Sequence, residues 1–123
     1  MTATLPQLAT AEILHTGFFA RHVRRMRLQL ENQVARYSQA LRAAFPPGTC
    51  VTRPAGGSLL WVELPPKGDG TRLYRRALEH NISILPGEIF SPDGGHRRYI
   101  RISCGATWTQ VIERAIVQLG RLV

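Results

Sequence analysis

Apolar residues recur along this chain first at the spacing of a helix and then, beyond Gly48, at the two-residue spacing of strands. Phe19, Val23, Met26, Leu30, Val34, Tyr37, Leu41 and Phe45 are separated by 4, 3, 4, 4, 3, 4 and 4 positions, which makes one uninterrupted helical stripe. At about 1.5 Å per residue such a helix spans about 39 Å. Pro46, Pro47 and Gly48 end it, because proline removes a donor and biases its predecessor away from helix. A shorter helix is expected ahead of it, from Leu8, Ala11 and Leu14 between Pro6 and Gly17. A helix so long relative to its domain needs something large to lie against.

Residues 49–54 and 58–64 read as two short strands joined through Gly56-Gly57. In the second, Leu60, Val62 and Leu64 share one face while Leu59, Trp61 and Glu63 share the other. The run PPKGDG is a loop, and 71–80 a short helix with Leu73, Tyr74, Ala77 and Leu78 inward and Asn81 as its C-cap. Residues 82–85 are expected as a buried strand, 86–96 as a loop and 98–104 as the last strand. Thr107 with Gln110 reads as a capping box for a final helix that buries Val111, Ala115, Ile116, Leu119 and Leu122. The expected fold is a single α+β two-layer sandwich over residues 1–123. Residues 1–46 form a helical lead-in, and 49–123 a small, mainly antiparallel sheet covered by helices.

At 123 residues, 44% of them hydrophobic, the chain has a globular domain's composition, with no apolar run long enough to span a membrane. The opening MTATLPQLAT carries no basic leader region, and Cys50 and Cys104 are too few for a disulfide framework; a cytoplasmic setting follows as the expectation. Sixteen basic residues stand against eight acidic, a net charge of +8, and fifteen of the sixteen are arginine. Such a balance suits a nucleic-acid partner, and His22, Arg24, Arg25 and Arg27 could line a DNA-binding helix. The cluster lies largely off the apolar stripe, however, and no helix-turn-helix spacing accompanies it, so a solvated helix face is the simpler reading. The four histidines are scattered without metal-ligand spacing, and neither glycine-rich run is a phosphate loop.

Arg101 stands out instead. In 99–104, Ile100, Ile102 and Cys104 form the apolar face and Arg101 projects oppositely, between Tyr99 and Ser103. A guanidinium presented there can grip a planar carboxylate with two parallel hydrogen bonds.

The segments GFFARHVRRMRLQL, PAGGSLLWVELP, ISILPGEIFS and YIRIS, in that order, resemble the carboxy-terminal part of fold-type I aminotransferases. More narrowly, the chain resembles the aminotransferase-like domain of MocR-type regulators in the GntR superfamily. The resemblance implies a piece of a longer protein. Pyridoxal 5′-phosphate would be held as a Schiff base by a lysine of a large domain absent from this chain, and DNA only by an absent winged helix-turn-helix. Lys67, the one lysine, sits in a Pro/Gly loop, so the piece by itself is expected neither to hold the cofactor nor to catalyse. Carried over by position, Arg101 falls on the family's carboxylate-binding arginine, and Gly56 and Gly57 fall where the small domain approaches the cleft. Phe90 and Ser91 lie on a nearby loop and receive no role. The implied function is an effector-binding domain of a homodimeric regulator that senses an amino-acid-like molecule. The alternatives are the small domain of a class I/II aminotransferase acting on a 2-amino acid, or a self-standing basic module binding nucleic acid.

Overall fold

The structure, a computed structural model, describes residues 3–123. Helices α1 (Thr4–His15) and α2 (Phe18–Ala44) lead into strands β1 (Cys50–Val51) and β2 (Leu59–Glu63). Helix α3 (Gly70–Glu79), strand β3 (Leu85–Pro86), a 3-10 turn (Gly87–Phe90), strand β4 (Tyr99–Ser103) and helix α4 (Gln110–Leu122) complete the chain. All strand pairs are antiparallel, in the order β1-β2-β4-β3. The α+β sandwich expected from the pattern is therefore the observed one.

The alternation in β2 and β4 decides the layering. Leu60 and Val62 of β2, then Leu64, and Ile100 and Ile102 of β4, then Cys104, are buried on one face. Against them pack Tyr37, Leu41 and Phe45 from α2 and its end, Leu73 and Ala77 from α3, and Ile116, Leu119 and Leu122 from α4. The opposite face carries Leu59, Trp61, Glu63, Tyr99, Arg101 and Ser103, none of them buried. The ladder sets Trp61 directly opposite Arg101 and Glu63 opposite Tyr99.

Several expectations shift. The apolar stripe of α2 is buried only towards its C-terminal end, at Tyr37 and Leu41, with Val23, Leu30 and Val34 half-covered and Phe19 and Met26 exposed. Only that end meets the sheet and α4; the first half is met by α1, which has no buried residue. The ladder of the first strand shortens to Cys50–Val51, extended by one bond from the Thr52 N–H to the Trp61 carbonyl. Of 82–85 only Leu85 pairs, together with Pro86, which an edge strand tolerates because its missing N–H points away from the sheet. Leu78 is exposed rather than inward. Asn81, at φ 59, does close α3: its N–H donates to the Leu78 carbonyl and that of Ile82 to Ala77, the two bonds of a Schellman turn.

The final helix is capped by Thr109 rather than Thr107, the Thr109 side chain accepting from the Ile112 N–H. Trp108 packs edge-to-face on Tyr37 at 5.2 Å, so the chain runs on without helix through Thr109. On this helix Ile116, Leu119 and Leu122 are buried as expected and Ile112 packs against them, while Val111 is 67% exposed.

The two cysteines are free, Cys50 exposed and Cys104 buried. Burial pushes the Cys104 thiol up to about 11. With a colourimetric disulfide reagent at pH 8 the native protein should release one equivalent, and the second only on unfolding. Because the folded thiol keeps its proton where an unfolded one ionises, its contribution to stability is intact below about pH 8.5 and is lost as the pH rises through about 11.

Candidate functional site

Strand period sends Arg101 to the open face of the sheet, and the ladder gives it Trp61 on one side and Leu85 on the other. Its guanidinium lies over the ring of Phe90, with Cζ 4.0 Å from the centroid. Phe90 meets Trp61 edge-to-face at 5.4 Å, and Trp61 lies 6.1 Å from Tyr99 and 5.9 Å from His96. Arg101 thus stands at the margin of a four-ring aromatic cluster. The ion pairs among the described residues lie elsewhere, joining Arg97 to Asp69 at 2.9 Å and Arg98 to Glu63. Partial burial, then the Glu63 carboxylate beside it, raises the Tyr99 phenol above its ordinary range. Asp69 is held low, first by the Arg72 N–H it accepts as N-cap of α3 and then by Arg97.

An arginine with no carboxylate partner among the described residues keeps its hydrogen-bonding fork open, and apolar rings beside it strengthen any charge it meets. The arrangement can take a planar anion such as a carboxylate.

Gly56 and Gly57 lie on the exposed turn between β1 and β2, where a Cβ on either would meet nothing within 4 Å. They line a groove of about 660 Å³ against α2, with Arg27, Leu30, Glu31 and Val34 on the far wall. Arg101 does not line that groove, so the structure does not bring these glycines together with the arginine. The ring it does bring beside Arg101 is that of Phe90. Ser91 instead ties its own loop, bonding Asp93 and accepting the Gly95 N–H at 3.0 Å. The face of Trp61 was readable from alternation; its position beside Phe90 was not, since that depends on the 3-10 turn.

Lys67 is exposed on the turn after β2. A Schiff-base lysine needs a desolvated amine, which Lys67 on that exposed turn does not offer to the aldehyde of pyridoxal phosphate. Among the described residues no three His, Cys, Asp or Glu side chains are grouped to hold a metal, and no helix is long and apolar enough to cross a membrane. His22, Arg24, Arg25 and Arg27 are exposed on the first half of α2.

A small antiparallel sheet with helices on one face matches the small-domain fold of aminotransferases. The crystal structure of LysN, the α-aminoadipate aminotransferase of Thermus thermophilus, complexed with N-(5′-phosphopyridoxyl)-L-leucine, superimposes with a TM-score of 0.75 at 33% identity, covering 94% of this chain and 30% of that one. In sequence, the chain is 37% identical over 117 residues to an uncharacterized HTH-type transcriptional regulator of Escherichia coli, YjiR, covering 95% of this chain and 25% of the relative. It is 35% identical over 120 residues to the 2-aminoadipate transaminase of Thermus thermophilus, covering 98% of this chain and 30% of that protein. No family model matches. Over nearly its whole length the chain is similar to one part of HTH-type transcriptional regulators and of aminotransferases, and it has the fold of an aminotransferase small domain. It spans about a quarter of the length of the curated relatives it matches.

Proposed function

We propose that this chain is the carboxy-terminal, ligand-binding part of a MocR-type transcriptional regulator, with Arg101 fixing the carboxylate of an amino-acid-like effector. The observation that carries the reading is the open guanidinium of Arg101 on the uncovered face of the sheet, beside apolar rings and without a carboxylate partner among the described residues. The match to HTH-type regulators over nearly the whole of this chain, at a quarter of their length, supports a longer parent. In that parent the rest of the chain supplies the Schiff-base lysine for pyridoxal phosphate and the DNA-binding module, in a cytoplasmic homodimer. Pyridoxal phosphate, held by that lysine in the parent, would supply an aldehyde reactive towards amines. This domain's part is to hold the effector's carboxylate and to close over it. Closure requires only a few kcal/mol of differential binding between open and closed states to shift the population.

Arg101→Ala in the full-length protein should weaken binding of L-leucine or L-2-aminoadipate about 100-fold, because a bidentate, charge-assisted pair is lost. Arg101→Lys, which keeps the charge but not the fork, should fall between. Calorimetry checks both, and an unchanged affinity in Arg101→Ala removes the arginine from the site.

A second reading, the small domain of an aminotransferase acting on a 2-amino acid, is favoured by the similarity to the Thermus enzyme. Steady turnover of an amino acid with a 2-oxo acid by the full-length protein, together with no DNA binding, would select it.

A further inference from the structure

We infer that Phe90 is the positioning residue for Arg101, holding the guanidinium so that its donor edge faces the ligand; this rests on the reading of Arg101 as the carboxylate ligand. An arginine side chain has several freely rotating bonds, and fixing them on binding costs affinity unless the protein has fixed them beforehand. Salt bridging would fix them but would occupy the same N–H groups that the ligand needs. A ring face avoids that conflict, attracting the cation from beneath while leaving the rim of donors open. The Phe90 ring, with Cζ of Arg101 4.0 Å from its centroid, is in that position.

The turn that carries the ring is held in place, and the ring has a neighbour of its own. The 3-10 turn that carries it is tied to α3 by a hydrogen bond from the Thr71 hydroxyl to the Glu88 carboxylate. At its start, Gly87 lies against the chain entering β4, so closely that a Cβ there would stand 2.5 Å from the His96 carbonyl oxygen and 2.8 Å from the Tyr99 Cβ. Trp61, itself opposite Arg101 in the ladder, packs edge-to-face with the ring at 5.4 Å. Phe90 nonetheless remains 37% exposed, so the hydrophobic core does not account for its place.

The test compares L-leucine with L-leucinamide, which lacks the carboxylate, on the full-length protein loaded with pyridoxal phosphate, by calorimetry. Phe90→Leu keeps apolar bulk and removes the flat ring. It should lose about tenfold for L-leucine, change little for L-leucinamide, and keep the melting temperature. Phe90→Tyr, which keeps the ring face, should keep the L-leucine affinity. Equal losses for both ligands, or no loss in Phe90→Leu while Arg101→Ala still weakens L-leucine, overturn the role of Phe90 and leave that of Arg101 standing. An Arg101→Ala variant with undiminished affinity, or wild-type protein that binds neither ligand, overturns both.

Discussion

Gly120→Ala should lower the unfolding free energy by about 3 kcal/mol, although alanine is the better helix former by about 1 kcal/mol. Gly120 lies in α4 where that helix crosses the C-terminal end of α2. A Cβ at this position would stand 2.2 Å from the Ala44 carbonyl oxygen and 2.7 Å from its carbon. Both atoms are backbone, so no side chain can swing aside, and the two helices must part. Parting them loosens Leu41 and Phe45 from the core they share with Ile116 and Leu119. Steric overlap therefore outweighs the gain in propensity. Urea denaturation of the variant checks this; a stabilised protein would show that the crossing is wider than the structure has it.

Leu60→Ala should cost a similar amount, about 3 to 4 kcal/mol. Leu60 is wholly buried on β2, which pairs on both sides, with β1 and with β4. Removing its outer carbons forfeits their transfer from water and leaves a cavity that paired strands cannot easily close. The neighbouring Leu59→Ala, on the open face and 42% exposed, should cost less than about 1 kcal/mol. Chemical denaturation of the two variants side by side reads the layering directly. Equal losses would contradict the assignment of faces.

The contrast between Leu59 and Leu60 is the part of the fold most plainly written in the sequence. A strand buried on one side must alternate, and both β2 and β4 do. The end of the long helix was legible for a similar reason, since Pro46 and Pro47 leave the backbone no choice; helix α2 closes at Ala44. Where two nearby residues offered the same chemistry, local pattern could not choose. Thr107 and Thr109 can each cap a helix, and the packing of Trp108 on Tyr37 is tertiary information. Residues 82–85 had a strand's composition, but a partner exists only for Leu85. At the site, the outward face of Arg101 followed from period two. The ring beneath it did not, because Phe90 reaches Arg101 through a 3-10 turn fixed by Thr71 and by the chain entering β4.

The strand order β1-β2-β4-β3 also has a bearing on how the chain is made. The strand that leaves the ribosome last sits inside the sheet, between two made earlier. Until Tyr99–Ser103 has emerged, β3 has no partner and β2 has only the two residues of β1. A pair that short is not stable in water, so Leu60 and Val62 wait uncovered during synthesis. In nascent chains halted before Tyr99, the segment from β1 to β3 should be digested by added protease. Protection should arise abruptly once β4 and the helix after it are free of the exit tunnel, rather than growing strand by strand.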